Sequence, residues 1–212
     1  MKLVIDVETN GFLDKLDFKI HCMVCKDIDT GKVYSYNPDQ LDEGLQLLKK
    51  ADLLVGHSIL GFDLPALEKH FGYYYKGSVL DTLLCSRLIW ANRSELDWQY
   101  KELPPKLYGK HSLEAWGFRL GLRKGDFQEH NDFSTWTLDM QDYCQRDTEV
   151  CHLLYKLIEK QNYSKDAIKL EHQFAYWITK QEQGGVDFDE TTAQSLYTIL
   201  TKRRLELENK LS

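Results

Sequence analysis

The sequence contains no apolar run that approaches the roughly 20 residues needed to span a bilayer. Its first residues, MKLVIDVETNG, carry one lysine and then a carboxylate within the apolar run, which is unlike a signal peptide. Both absences argue against a membrane-spanning or secreted protein. We therefore expect a cytoplasmic protein with no membrane partner.

The sequence also lacks a disulfide framework. Its five cysteines are odd in number and irregularly spaced, and only Cys22 and Cys25 form a C-x-x-C pair. Such a pair could be a redox motif or half of a zinc site. It lies, however, in the alternating stretch IHCMVCKDI, which is typical of a strand, and no second pair stands nearby. We interpret the cysteines as packing residues.

Positive charge is scarce. The 27 Lys and Arg residues are outnumbered by 33 Asp and Glu residues, which gives a net charge of −6. This balance disfavours a processive clamp or an endonuclease that grips duplex DNA, because such proteins usually carry a basic surface. It does not exclude an enzyme that holds a few nucleotides through bound divalent cations. The basic residues that could contact phosphates, or simply form a solvated face, are Lys101, Lys106, Lys110, Arg119, Arg123 and Lys124.

Three strands are predicted at the start of the chain. An apolar run of β-type residues, Lys2 to Val7, is followed by the alternating stretches Lys19 to Ile28 and Lys32 to Tyr36. The hairpin signal Asp29-Thr30-Gly31 separates the last two. These patterns favour antiparallel pairing.

Beyond the third strand, helical and strand patterns alternate. The predicted elements are helix 41–51, strand 52–55, helix 62–71, strand 78–80, helix 82–91, helix 111–120 and helix 138–160. The aromatic-rich stretch between Asn92 and Lys110 is long for a connection and predicts a functional excursion.

The character of the chain changes after Asn162, where two charged amphipathic helices are predicted at 165–183 and 190–211. The whole pattern indicates an α/β fold of the ribonuclease H-like kind. Its mixed sheet would have three antiparallel strands, then alternating helices and short strands, followed by a C-terminal helical extension. At 212 residues, the chain has room for one well-buried domain, residues 1–162, and an appendage, residues 163–212.

Asp6 and Glu8 are the first candidate functional residues. They end an apolar strand, where residues two apart face the same side, so both carboxylates project together. Adjacent like charges are costly unless a cation neutralises them, which predicts a metal site. A D-x-E sequence is common, and both residues could equally be solvated beyond the end of the strand.

Asp147 and Tyr143 are the second candidates. The apolar stripe of the helix 138–160 contains Met140, Cys144, Cys151, Leu154 and Ile158. Asp147 lies near the centre of this stripe, and Tyr143 lies one turn earlier on the same face. A purely structural helix gains nothing from a buried carboxylate there. The alternative is a buried Asp147 that is satisfied by a backbone amide or a hydroxyl.

Two further acids begin predicted helices. Asp63 follows a short strand and a turn in HSILGFD, and Asp81 precedes Thr82. A carboxylate is favoured at both places by the helix dipole or as an N-cap. For Asp81 we prefer the cap.

The segments DVE, HSILGFD and YCQRD, in this order, resemble the three motifs of the DEDD exonuclease superfamily in its tyrosine-bearing subclass. The resemblance implies a 3′→5′ exonuclease with the catalytic residues Asp6, Glu8, Asp63, Tyr143 and Asp147. The four acids would bind two divalent cations, and Tyr143 with Glu8 would orient the attacking water. Hard oxygen ligands favour Mg²⁺ or Mn²⁺.

The middle motif departs from the family pattern. It begins with His57, where many relatives have asparagine, and this leaves open how the nucleotide before the scissile bond is held. The candidate substrate-binding residues are Thr9, Phe12, His57 and Phe62. Phe12 and Phe62 could stack on terminal bases, or they could pack in the core.

A closer resemblance covers nearly the whole chain. DTLLCSRLIWAN and HSLEAWGFRLG are similar to the exonuclease portion of family A replicative DNA polymerases of short-tailed bacteriophages, and KQEQGGVDFD is similar to the start of their polymerase body. The resemblance implies proofreading at the 3′ end of single-stranded DNA, in the host cytoplasm. The implied partners are a polymerase body, in the same or a separate chain, and other replisome proteins. The nucleotidyl-transfer segments of that family have no counterpart here.

Two alternatives stay open. An exoribonuclease of the same superfamily would use the same metal chemistry, which is indifferent to a 2′-hydroxyl. A non-catalytic replication scaffold would keep the fold without the reaction.

Overall fold

The computed structural model describes residues 1–122 and 133–211. Within them lies a five-stranded sheet in the order β3-β2-β1-β4-β5. The strands are β1 Lys2–Thr9, β2 Ile20–Asp27, β3 Val33–Tyr36, β4 Leu53–Gly56 and β5 Ser78–Asp81. Strands β1, β2 and β3 pair antiparallel, whereas β4 and β5 run parallel to β1. The predicted mixed sheet with three antiparallel strands is confirmed.

Helices cover both faces of this sheet. In the described residues they are α1 Leu41–Leu48, α2 Asp63–Phe71, α3 Thr82–Ile89, α4 Arg93–Leu96, α5 Leu113–Leu120, α6 Leu138–Lys160, α7 Lys165–Gly184 and α8 Glu190–Leu211. Short 3₁₀ turns lie at Pro38–Gln40, Asp97–Gln99 and Pro105–Leu107. Helix α6 begins after Thr137, whose side chain accepts a hydrogen bond from the Met140 N–H, an ordinary N-cap.

Successive side chains of β1 point to opposite faces of the sheet, and each face has its own hydrophobic core. Leu3, Ile5 and Val7 join the cluster that contains residues of α1 and α2, whereas Val4 joins the cluster that contains α5 and α6. Because side chains two apart share a face, Asp6 and Glu8 project to the same side as Val4, towards α6. The central strand thus carries apolar residues on one face and ends in carboxylates on the other.

The stretch between Asn92 and Lys110 is partly packed against the domain, and its role as a functional excursion stays a prediction. Its residues Leu103 and Leu107 are buried in a small cluster with Ala115 of α5. Asp97 is fully buried and accepts hydrogen bonds from Arg93 and Arg119. A local core and a buried ion pair therefore organise this segment.

The same ion pair corrects the expectation for the basic residues. Arg119 is 9% exposed and bound to Asp97, so it belongs neither to a phosphate-binding surface nor to a solvated face. Lys101, Lys106 and Lys110 are exposed. Arg123 and Lys124 lie outside the described residues.

The five cysteines are buried thiols, as the prediction of packing residues requires. Cys22 faces the cluster that contains Met140 and Cys144, whereas Cys25 belongs to the core on the other face of the sheet. The C-x-x-C pair is therefore divided between two faces of β2.

The chain forms two compact units, Met1–Thr179 and Lys180–Ser212. The second unit contains α8, on which Leu196 and Leu200 are 52% and 65% exposed. Among the described residues, every helix is too short or too polar to cross a bilayer.

Candidate active site

Asp6 and Glu8 lie near the end of strand β1, where they pair with Val24 and Cys22 of β2. The strand extends to Thr9, and its pairing with β2 shifts register between Glu8 and Thr9. Bulges of this kind often re-aim side chains at the rim of a sheet. The two carboxylates and the Cys144 thiol offer ligand atoms within 4.8 Å of one another.

Tyr143 and Asp147 of α6 lie near the two carboxylates of β1. They lie one turn apart, and their side chains are 3% and 6% exposed. Burial raises the pKa of Tyr143 far above its usual value, and the charges of Asp147, Glu8 and Asp6 raise it further. These interactions place the phenol beside acids of both β1 and α6.

Asp63 joins this group from the start of α2. Its carboxylate accepts a hydrogen bond from the Val7 N–H at 3.2 Å, which fixes it against the backbone between Asp6 and Glu8. Burial raises the pKa of Asp63 to about 7, and the charges of Asp81 and Asp147 act in the same direction. Asp63 thus contacts the main chain of β1 between Asp6 and Glu8 and lies within electrostatic range of Asp147 on α6.

Asp81 has a second role that the sequence did not reveal. As predicted, it caps α3 by accepting hydrogen bonds from the Leu83 and Leu84 N–H groups. Its carboxylate also accepts from the N–H groups of Ser58 and Leu60, in the turn that leads to Asp63. No local pattern predicted this contact, because the two segments are more than 20 residues apart.

The donors at this site fit a hard divalent cation. Asp6, Glu8, Asp63 and Asp147 offer carboxylate oxygens, the ligands that Mg²⁺ and Mn²⁺ prefer. The neighbouring Cys144 thiol donates to the main-chain oxygen of Asp6 at 3.3 Å. Burial holds the pKa of that thiol well above its usual range, so it stays protonated. An added cation would also offset the like charges that gather here.

The candidate substrate-binding residues have different environments. Phe12 is 80% exposed in the segment after β1, whereas Phe62 packs partly against the core of the α2 side. Thr9 is buried, and its hydroxyl donates to the Gly11 carbonyl oxygen at 2.8 Å. His57 is half-buried with Nδ1 2.9 Å from the Thr82 hydroxyl. Of the four, Phe12 offers the most open surface for a base.

Sequence comparison relates the chain to DNA polymerases of phages. It is 32% identical to the DNA-directed DNA polymerase of Enterobacteria phage T3 and 31% identical to that of Escherichia phage T7, in each case over 99% of this chain. The chain is therefore similar, over nearly its whole length, to part of these phage polymerases. It spans 36% of their length. No protein-family model matches it.

Structure comparison identifies the fold. Brucella melitensis NrnC with bound Mg²⁺ aligns with a TM-score of 0.59 at 18% identity, over 87% of this chain and 86% of that one. The catalytic core of RRP6 from Trypanosoma brucei gives 0.58 at 14% identity, over 85% and 46%. Escherichia coli RNase D gives 0.52 at 12% identity, over 82% and 45%. The predicted ribonuclease H-like fold is confirmed by these similarities.

Proposed function

We propose that the chain is a metal-dependent 3′→5′ exonuclease that shortens single-stranded DNA and serves as the proofreading part of a phage-type DNA polymerase. The convergence of Asp6, Glu8, Asp63 and Asp147 around Tyr143 carries this proposal. The motif order matches the DEDD pattern, and the relatives in sequence are DNA polymerases.

The four acids would bind two cations. Asp6, Glu8 and Asp147 would hold one cation, and Asp6 together with Asp63 would hold the other. Bound Mg²⁺ or Mn²⁺ would activate water at neutral pH and offset the charge that develops on the phosphodiester. Asp63 must ionise to serve as a ligand, so occupancy of this site displaces a proton in the range where that carboxyl titrates.

Tyr143 would orient the attacking water with Glu8. Because its pKa is raised by burial and by the neighbouring acids, the phenol keeps its proton. It therefore acts as a hydrogen-bond donor and does not act as a general base. Its position one turn before Asp147 on α6 keeps the hydroxyl beside the carboxylates.

The DNA end would be held mainly by stacking and by the cations, since the chain has a net charge of −6. The exposed ring of Phe12 suits sequence-tolerant stacking on a terminal base. Thr9, His57 and Phe62 complete the proposed substrate-binding set.

The proposed partner is a polymerase body, in the same or a separate chain, with other replisome proteins. The chain spans 36% of its relatives, and the leucines of α8 are exposed in the second unit. We place the exonuclease domain at residues 1–162 and the helical extension at residues 163–212.

A gel of a 5′-labelled single strand tests the proposal. With Mg²⁺, we expect a descending ladder of labelled products, and we expect a chelator to abolish it. Persistence of the full-length strand in both Mg²⁺ and Mn²⁺, or release of labelled mononucleotide from the 5′ end, would contradict the proposal.

An exoribonuclease is the second candidate. RNase D, which shares the fold, is described as an exoribonuclease, and the chemistry at the phosphate does not require a deoxyribose. Matched DNA and RNA strands of one sequence separate the two: faster digestion of RNA would support the alternative. The polymerase relatives lead us to expect faster digestion of DNA.

A further inference from the structure

A single imidazole joins helix α7 to the end of the edge strand β5. Nε2 of His172 accepts a hydrogen bond from the Asp81 N–H at 2.7 Å, and Nδ1 donates to the Ile168 carbonyl oxygen at 2.8 Å. A ring nitrogen that accepts a hydrogen bond carries no proton, so the N–H of this ring is on Nδ1, which faces Ile168. The ring thus connects the main chain of α7 to the main chain of β5.

An open cavity adjoins this connection. It has a volume of 660 Å³ and is lined by Val79 and Leu80 of β5 and by Lys169 and Gln173 of α7. His172 also lines this cavity, so the hydrogen bond that it accepts from the Asp81 N–H joins the two elements beside open space.

The residue that receives this bond organises the turn before Asp63. The Asp81 carboxylate accepts from Ser58 and Leu60 N–H groups at 3.0 and 3.2 Å. Ser58 has a φ of 66°, a left-handed conformation that is costly for a residue other than glycine. Its carbonyl oxygen then accepts from the N–H groups of Gly61 and Phe62, which leads directly into α2.

Asp63, the first residue of α2, is the last member of this series of contacts and lies at the candidate active site. Its carboxylate is bound to the Val7 N–H, between Asp6 and Glu8. A displacement of Asp81 would therefore weaken the hydrogen bonds that hold the strained turn at Ser58, and this turn leads to Asp63. His172 does not contact the site itself and would act on it only through Asp81 and this turn.

We propose that His172 is a positioning residue for the exonuclease reaction, because its bond to the Asp81 main chain holds the turn that places Asp63. The inference rests on the proposed function and assigns a catalytic consequence to a side chain of α7. Residues that support the ligands of a metal site typically change metal affinity or activity by about 10- to 100-fold when they are replaced.

The test compares two replacements in the full chain. His172→Leu removes the acceptor, whereas His172→Gln keeps a side-chain oxygen that can accept the same bond. For H172L we expect kcat on single-stranded DNA to fall about 10- to 100-fold, with KM within about twofold of wild type. H172Q should keep most of the wild-type kcat. Gln173→Leu, which alters the same cavity, is the control and should behave as wild type.

A second readout uses Mn²⁺ and the chain without DNA. Electron paramagnetic resonance should show Mn²⁺ bound about tenfold more weakly by H172L, but normally by H172Q. Circular dichroism establishes that each variant is folded. If H172L folds poorly, His172→Asn replaces it, because the shorter amide cannot reach the Asp81 N–H.

Three results would overturn the positioning role: a wild-type kcat in H172L, an equal loss in H172L and H172Q, or unchanged Mn²⁺ affinity in H172L. A wild-type chain that digests no DNA would refute the proposed function instead. The two failures are therefore distinguishable.

Discussion

Two of the buried carboxylates, Asp97 and Asp63, have different surroundings. Asp97 is fully buried between Arg93 and Arg119. Burial alone would raise its pKa, but the arginines and the Gly109 N–H outweigh burial and lower it. At Asp63, burial and the neighbouring acids Asp81 and Asp147 act together and raise the pKa to about 7.

This difference distinguishes a structural acid, Asp97, from the acid that we propose as a metal ligand, Asp63. At Asp97, the sequence supplies two arginines that neutralise the buried carboxylate. Near the end of β1, the start of α2 and the buried face of α6, like charges lie close together, which lowers the stability of the fold. A bound cation would offset this cost. The four predictions below follow from this contrast, from the largest expected effect to the smallest.

Asp6→Ala combined with Glu8→Ala should lower the rate of metal-dependent digestion at least about 1,000-fold, because it removes ligands worth several kcal/mol in the transition state. The free energy of unfolding should stay the same or rise, since like charges are removed. The rate is measured on a 3′-labelled strand. Asp139→Asn with Asp142→Asn, two exposed acids of α6, is the control. Digestion within tenfold of wild type would refute the assignment.

Asp97→Ala should show the reverse pattern. It leaves two buried guanidinium groups without their carboxylate, so we expect a loss of about 3–5 kcal/mol in the free energy of unfolding. Urea denaturation measures this loss, and activity per folded molecule should persist. A loss below about 1 kcal/mol would show that the two acids do not differ in the way described.

Asp63→Asn tests the raised pKa directly. Because the folded pKa of about 7 exceeds the ordinary 3.8, the contribution of Asp63 to stability in chelator should be fully present below about pH 4 and should be lost as pH rises through 7. The variant lacks this ionisation, so its unfolding free energy should depend less on pH. Added Mg²⁺ should stabilise the wild type at pH 8 more than the variant. Identical pH profiles would contradict the account.

Arg119→Lys should have the smallest effect. Arg119 donates from Nε and from a terminal nitrogen to the two Asp97 oxygens, at 3.0 and 2.7 Å, and a lysine cannot reproduce this pair. We expect a loss of about 1–2 kcal/mol in stability. Affinity for single-stranded DNA and its salt dependence should not change. A weaker affinity with a shallower salt dependence would show instead that Arg119 contacts phosphates.

Local patterns were sufficient to predict the elements that carry the acids. The stripe on α6 placed Asp147 and Tyr143 correctly on the buried face, because helical spacing is a property of the sequence itself. The alternation of β1 placed Asp6 and Glu8 on one side. The predicted end of β1 at Val7 was two residues short, because acids within a strand resemble its end.

Long-range partners explain what local patterns could not predict. The buried ion pair in the segment after α3 was not predicted, because Asp97 and Arg119 are 22 residues apart and no local periodicity reports their pairing. The hydrogen bonds that the Ser58 and Leu60 N–H groups donate to the Asp81 carboxylate likewise join separate elements. So does the bond that the Asp81 N–H donates to His172. In both places a buried polar group needed a partner that only the tertiary structure supplies.

Calorimetric titration of Mn²⁺ into the chain without DNA is the most direct test of the central claim, that the acids of β1, α2 and α6 form one cation site. At pH 7.5, we expect binding of two ions to the wild type, and we expect that binding to disappear in the D6A/E8A variant. Equal heats for the two proteins, or no binding to the wild type at millimolar Mn²⁺, would contradict the account.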